Sequence, residues 1–225
     1  MEAYLPRLFE AALLCAFLYL VGFCYRSASW PKTVLKTASV VILAIAALIA
    51  QAPLLLVLAL LACAAGDFYL SRGSEIEFLK GVGAFAIGHV FFIILFLTDP
   101  LSDISRISYG PQIAILSILV FMALIMGCWL WFTAGNLRHA VMGYIVIITS
   151  MGFAAATLPW QNHQGSILLG VMFFIISDLV LSAELFILSG QGTARKLSPY
   201  IVWFFYWSAQ LLITAGFILD RLEVF

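Results

Sequence analysis

Eight runs of about twenty apolar residues, parted by short clusters of charge, proline and glycine, nearly fill this chain of 225 residues. A bilayer core of about 30 Å is crossed by roughly 20 helical residues. The runs fall at about 7–25, 33–50, 53–71, 79–98, 111–132, 139–157, 165–188 and 199–219. The predicted fold class is therefore all-α: a polytopic membrane bundle of about eight transmembrane helices, with 1–225 as one integral-membrane domain. At 64% hydrophobic residues, 10% charged residues and a mean hydropathy of +1.12, the chain lies outside the soluble class. Its formal net charge of zero carries no nucleic-acid footprint. The bilayer itself and lipid molecules are the expected partners.

No soluble domain, repeat or low-complexity tract interrupts the runs. The longest connection, "TDPLSDISRISYGP", has about a dozen residues. Cys15, Cys24, Cys63 and Cys128 lie in or beside apolar stretches without zinc-site or disulfide spacing, and read as small packing residues. The first run is preceded by Glu2 and followed by no small-residue cleavage signal, so it is expected to remain as helix one. An even number of passes puts both termini on one side. Arg26, Lys32, Lys36, Arg72, Lys80, Arg138, Arg195 and Lys196 then share one face, against Arg7, Arg106 and Arg221 on the other. The basic face is expected to be cytoplasmic, with both termini opposite; in a bacterium this is the inner membrane. Trp30, Trp129 and Trp131 near one face and Trp160 near the other fit the interfacial belts.

A charge at mid-helix costs about 2.5–3.5 kcal/mol on an insertion scale, so ionisable residues inside these runs face the bundle interior and mark function. Asp67 sits about one turn from the basic end of helix three, and Asp178 near the middle of helix seven. A carboxylate near the interface beside Arg72 is the plain structural reading of Asp67; Asp178 has no such outlet. His89, inside helix four, reads as ligand, proton carrier or packing residue. Ala84 and Gly88, spaced for close helix approach, turn that stretch toward protein. Tyr206, Gln210 and Thr214 form a polar stripe on helix eight, readable as interhelical hydrogen bonding alone. Ser182 stands four residues from Asp178; Glu184, about 240° around the helix from it, is expected at the interface instead. Lys32 and Lys36 open helix two, where they can snorkel or hold a lipid phosphate.

At 1.5 Å per residue, Asp67, Asp178, His89, Tyr206, Gln210 and Lys36 all fall between the bilayer middle and the basic end. One cavity is expected there, acids deep and a lysine at its mouth, shaped for an amphiphile with an anionic head.

The stretches "KTVLKTASV", "GDFYL", "FLKGVGAFAIGHVFF", "FFIISDLVLS" and "YWSAQLLI", in that order on helices two, three, four, seven and eight, resemble the YhhN-like lysoplasmalogenase family of multi-pass membrane enzymes. The chain departs from the family's pattern at Thr37, where many relatives carry proline. The resemblance implies an ether hydrolase that opens the vinyl-ether bond of a lysophospholipid, lysoplasmalogen, to a fatty aldehyde and glycerophosphoethanolamine or glycerophosphocholine. Such a reaction needs a proton delivered to the β-carbon and water added to an oxocarbenium-like cation, as two carboxyl groups do in glycoside hydrolysis. Asp178, deeper and more desolvated, is the expected acid and Asp67 the base, roles that are exchangeable. His89 is expected to orient Asp67 or relay protons; Lys36, Tyr206, Gln210 and Ser182 are expected around the substrate. No cofactor is implied, and one histidine with two aspartates is a thin set for zinc. A proton-coupled transporter and a metal-dependent lipid amidase or esterase are the alternatives, the first weakened by the absence of paired repeats.

Overall fold

The helices begin and end where local hydrogen-bonding groups allow. Ser29 accepts a hydrogen bond from the Lys32 amide and Ser74 from the Glu77 amide, so the second and fourth helices start at Trp30 and Glu75, earlier than the apolar runs suggest. The computed structural model describes residues 4–188 and 192–223, without the side chains of residues 162 and 220–223; Glu2 and the side chain of Arg221 lie outside the described residues. The eight α-helices are α1 (Leu5–Gly22), α2 (Trp30–Ile49), α3 (Leu54–Leu70), α4 (Glu75–Leu97), α5 (Gly110–Thr133), α6 (Arg138–Ala155), α7 (Asn162–Phe186) and α8 (Thr193–Glu223). α2 is continuous through Thr37.

The largest boundary difference is in α8, which begins six residues before Pro199 rather than at it. Proline lacks the N–H that would bond the carbonyl four residues back. That carbonyl belongs to Arg195, and the Ser198 hydroxyl donates to it at 3.2 Å, so the helix continues through the proline.

Among the described residues, seven of the helices are long and apolar enough to cross a membrane. The eighth, α3, has 17 residues, about 25 Å at the α-helical rise. Links of four residues join it to α2 and to α4, which makes it antiparallel to both and carries it across the same depth. Large apolar side chains such as Leu14, Phe17, Phe121, Leu124, Phe132 and Val146 cover the outside. The protein is an integral, multi-pass membrane protein.

Helix neighbours set the site. α2, α3, α4, α6, α7 and α8 follow one another around a ring that α8 closes against α2; α1 packs against α2 and α8, and α5 lies outside on α6. The hairpins α3/α4 and α7/α8 are the tightest contacts, and glycine permits both. A Cβ on Gly88 would stand 2.8 Å from the Cys63 sulfur and 3.2 Å from the Ala59 carbonyl oxygen, and one on Gly170 3.0 Å from the Ala209 carbonyl oxygen. Gly88 thus meets protein as its spacing predicts, while Gly83, with nothing within 4 Å of such a Cβ, faces outward. Gly88→Leu is expected to destabilise the bundle by about 1–3 kcal/mol through overpacking, and Gly83→Leu to leave it unchanged, in thermal unfolding of detergent-purified protein. Equal midpoints for the two variants would contradict this packing.

Candidate active site

A cavity of about 420 Å³ lies within the ring, at the end of the bundle formed by the α1/α2, α3/α4 and α7/α8 connections. These connections and the adjoining helix ends carry most of the chain's lysines and arginines. Lys32 and Lys36 of α2, Asp67 of α3, Tyr144 of α6, Asp178, Ser182 and Glu184 of α7 and Tyr206 of α8 all reach its wall.

Asp67 is fully buried. Burying a carboxylate is costly unless it is paired and hydrogen-bonded, and both conditions are met. Its Oδ1 lies 3.1 Å from Lys36 Nζ, and the Tyr206 hydroxyl donates to Oδ2 at 2.6 Å. The lysine is held in turn between aromatic faces, its Nζ 6.0 Å from the Tyr19 ring centroid and 5.8 Å from that of Trp203. Trp203 is anchored by its indole N–H, which donates to the Ala16 carbonyl at 3.1 Å. Side chains from α1, α2, α3 and α8 thus converge on one ion pair.

Asp178 is not the more desolvated acid that its mid-helix position suggests: its side chain is 13% exposed where that of Asp67 is 0%, because it borders the open cavity while Asp67 is enclosed by its partners. The Tyr144 hydroxyl donates to its Oδ2 at 2.7 Å, and His89 Nε2 stands 3.8 Å from the same oxygen. Among the described residues no lysine or arginine forms an ion pair with it. His89 is fully buried, wedged edge-on against Phe174 and Tyr144, with Nδ1 2.6 Å from the Phe85 carbonyl oxygen. A carbonyl only accepts, so Nδ1 carries the hydrogen; in the neutral ring Nε2 is then a bare acceptor turned toward Asp178. One carboxyl therefore faces a cation, and the other faces a hydroxyl donor and a proton acceptor.

Lys36 sits beside Asp67 rather than at the mouth. Lys32 is the outer lysine, its Nζ donating to the carbonyls of Cys24 at 3.3 Å and Arg26 at 2.5 Å. His89 lies behind the cavity wall and faces Asp178, not Asp67. Gln210 is also fully buried behind the wall, close to the Tyr206 hydroxyl and the Cys63 thiol but with neither amide atom in good hydrogen-bond geometry. Glu184 lines the same cavity as Asp178, at the mouth, where the Arg195 guanidinium donates to its backbone carbonyl and lies 3.8 Å from its carboxylate. Tyr144, the direct partner of Asp178, escapes sequence reasoning because one tyrosine near a helix end reads as an interfacial aromatic. Among the described residues no three of His, Cys, Asp or Glu converge as a metal site.

Comparison with known proteins follows the same helices. The chain is 34% identical over 173 residues to proteins named lysoplasmalogenase in Mycobacterium bovis and Mycobacterium tuberculosis, a match covering 74% of this chain and 61% of each relative. It is 28% identical over 165 residues to human lysoplasmalogenase TMEM86A, covering 70% of this chain and 62% of that protein. The matched part is thus less than two thirds of each relative's length. No solved structure matches. The YhhN family pattern fits residues 31–217. A match running from the first turn of α2 almost to the end of α8, through both Asp67 and Asp178, makes this chain a member of the YhhN family.

Proposed function

We propose that this protein is a lysoplasmalogenase, hydrolysing the vinyl-ether bond of lysoplasmalogen to a fatty aldehyde and a glycerophosphoethanolamine or glycerophosphocholine. The supporting observation is the pair of carboxyl groups in one cavity with opposite surroundings, Asp67 against Lys36 and Asp178 against Tyr144 and His89. Environments that separate two carboxyl groups are how acid and base roles are divided at one pH.

Asp178 is the acid. It delivers its proton to the β-carbon of the vinyl ether, and the C=C electron pair forms the new C–H bond, leaving an oxocarbenium-like cation. Asp67, ionised beside Lys36, takes a proton from water as the water oxygen bonds to the α-carbon. The hemiacetal then breaks its bond to the glycerol oxygen, which takes a proton as the C=O of the aldehyde forms; the sum is one water added. Asp67 passes the proton it took from water to the departing glycerol oxygen, and the hemiacetal hydroxyl proton, released as the C=O forms, returns to Asp178; His89 Nε2, 3.8 Å from Oδ2, positions the Asp178 carboxyl. Tyr206 holds Asp67 from the other side, Ser182 bounds the polar part of the site, and Gln210 backs Tyr206 from behind the wall.

The contact to Asp67 gives Lys36 the base to position rather than the phosphate. The phosphate falls instead to Lys32 at the mouth, with Glu184 toward the amine of an ethanolamine head. The basic end faces the cytoplasm under the positive-inside rule, with both termini opposite; in a bacterial host the membrane is the inner one.

The test is aldehyde release from lysoplasmenylethanolamine and lysoplasmenylcholine by detergent-purified protein. Stoichiometric aldehyde and glycerophospho-alcohol are expected. No aldehyde from either lipid with well-folded protein would overturn this reading in favour of another lipid hydrolase or a proton-coupled carrier.

A further inference from the structure

The catalytic cavity does not end at Asp178. Tyr144, Asp178 and Ser182 also line a second space of about 40 Å³, whose remaining wall includes Leu119, Met122 and Met126 of α5, Ile148 of α6 and Ile175 of α7. That passage shares Ala123, Ile145 and Thr149 with a third space, a groove of about 530 Å³ lined by Ile93 and Leu97 of α4, Val120 and Leu124 of α5 and Phe153 of α6. The three spaces follow one another along α6 from the polar end toward the opposite face. Tyr144 and Ala154, at the two ends of that path, are ten residues apart on α6, about 15 Å at the α-helical rise.

Two further features mark the path as apolar. The hydroxyls along it are turned back on their own backbone: Thr149 donates to the Ile145 carbonyl at 2.6 Å, Ser150 to Val146 at 2.8 Å and Thr157 to Ala154 at 2.7 Å, so their carbons are what an occupant meets. The helix roofing the path is α5, which lies outside the ring and buries only Gln112, Leu116, Met126 and Leu130. Met122 and Met126, unbranched and adaptable, suit a wall that must fit a flexible chain.

We propose that the space beneath α5 is the alkenyl-chain subsite of the enzyme. The chain leaves the catalytic cavity past Tyr144 and Asp178, runs between α5 and α6/α7, and ends in the groove bounded by α4, α5 and α6, which opens on the outer surface of the bundle at Leu97, Leu124 and Val146. This rests on the lysoplasmalogenase reading for the identity of the chain. It adds that α5 and α6 set chain-length preference, with Ala123 and Thr149 as the narrow point.

Ala123→Phe and Thr149→Met, which obstruct the path from opposite walls, are compared with Phe121→Trp, on the outer face of α5 and 62% exposed. Hydrolysis is measured on lysoplasmenylethanolamine with eight-carbon and sixteen-carbon alkenyl chains. Binding of saturated alkyl-ether lysophosphatidylethanolamines of the same two lengths is measured separately. In both obstructing variants the ratio of long-chain to short-chain kcat/KM, and the matching binding ratio, are expected to fall about tenfold or more, the discrimination a methylene or two supplies in an apolar pocket. Phe121→Trp is expected to keep the native ratio. If native protein releases no aldehyde, the function fails but the binding ratios still decide the subsite. Equal effects on both lengths, or no effect, in whichever obstructing variant folds would overturn the proposal.

Discussion

Lys36→Met is expected to cost about 3–5 kcal/mol of bundle stability, because it leaves the Asp67 carboxylate buried without its cation. Methionine keeps most of the apolar stem, so packing between Tyr19 and Trp203 changes little and the loss is chiefly electrostatic. Adding Asp67→Asn to the same chain is expected to recover most of it: the stranded charge is gone, and the amide oxygen still accepts from Tyr206. Unfolding in mixed detergent, read for native, both single variants and the double variant, gives the coupling. Simply additive losses would mean that Lys36 and Asp67 are neighbours without a shared energy.

Asp178→Asn is expected to lower aldehyde release by about 10²–10⁴-fold, the range a positioned acid or base supplies. The amide is nearly isosteric and keeps an oxygen for the Tyr144 hydroxyl, so the fold should survive while the transferable proton is lost. Tyr144→Phe removes that hydrogen bond, worth about 1.5–3 kcal/mol toward a charged group, and is expected to slow release by about 10–100-fold. A rate for Asp178→Asn within tenfold of native, in protein of native stability, would remove Asp178 from the acid role.

Much of this arrangement was legible from residue chemistry. Helix number followed from run length, because a bilayer tolerates few ways to end a span. Asp67 and Asp178 stood out because each interrupts an apolar run, and helical depth placed both between the bilayer middle and the basic end. Helix starts were harder to read. The caps Ser29 and Ser74 and the Ser198 hydroxyl over Arg195 act outside the apolar pattern, and each lengthens a helix beyond it. Lys36 illustrates a deeper difficulty: a lysine within the first two turns of a helix can snorkel outward or turn inward, and the choice belongs to Asp67 on another helix. The partner of Asp178 and the orientation of His89 depended on which helices are neighbours. That follows from where glycines permit close approach, which one helix cannot reveal.

The Asp67 contacts also have an order in time. Ribosomes deliver this chain from α1 onward, and Lys36 and Asp67 lie on consecutive helices joined by a four-residue link. Tyr206 is 139 residues downstream of Asp67, on α8. During synthesis the lysine is thus at hand to cover the carboxylate in the bilayer long before the tyrosine exists. The ion pair proposed to set up a base in the finished protein thus also covers an acidic helix in lipid while the rest of the bundle is being made.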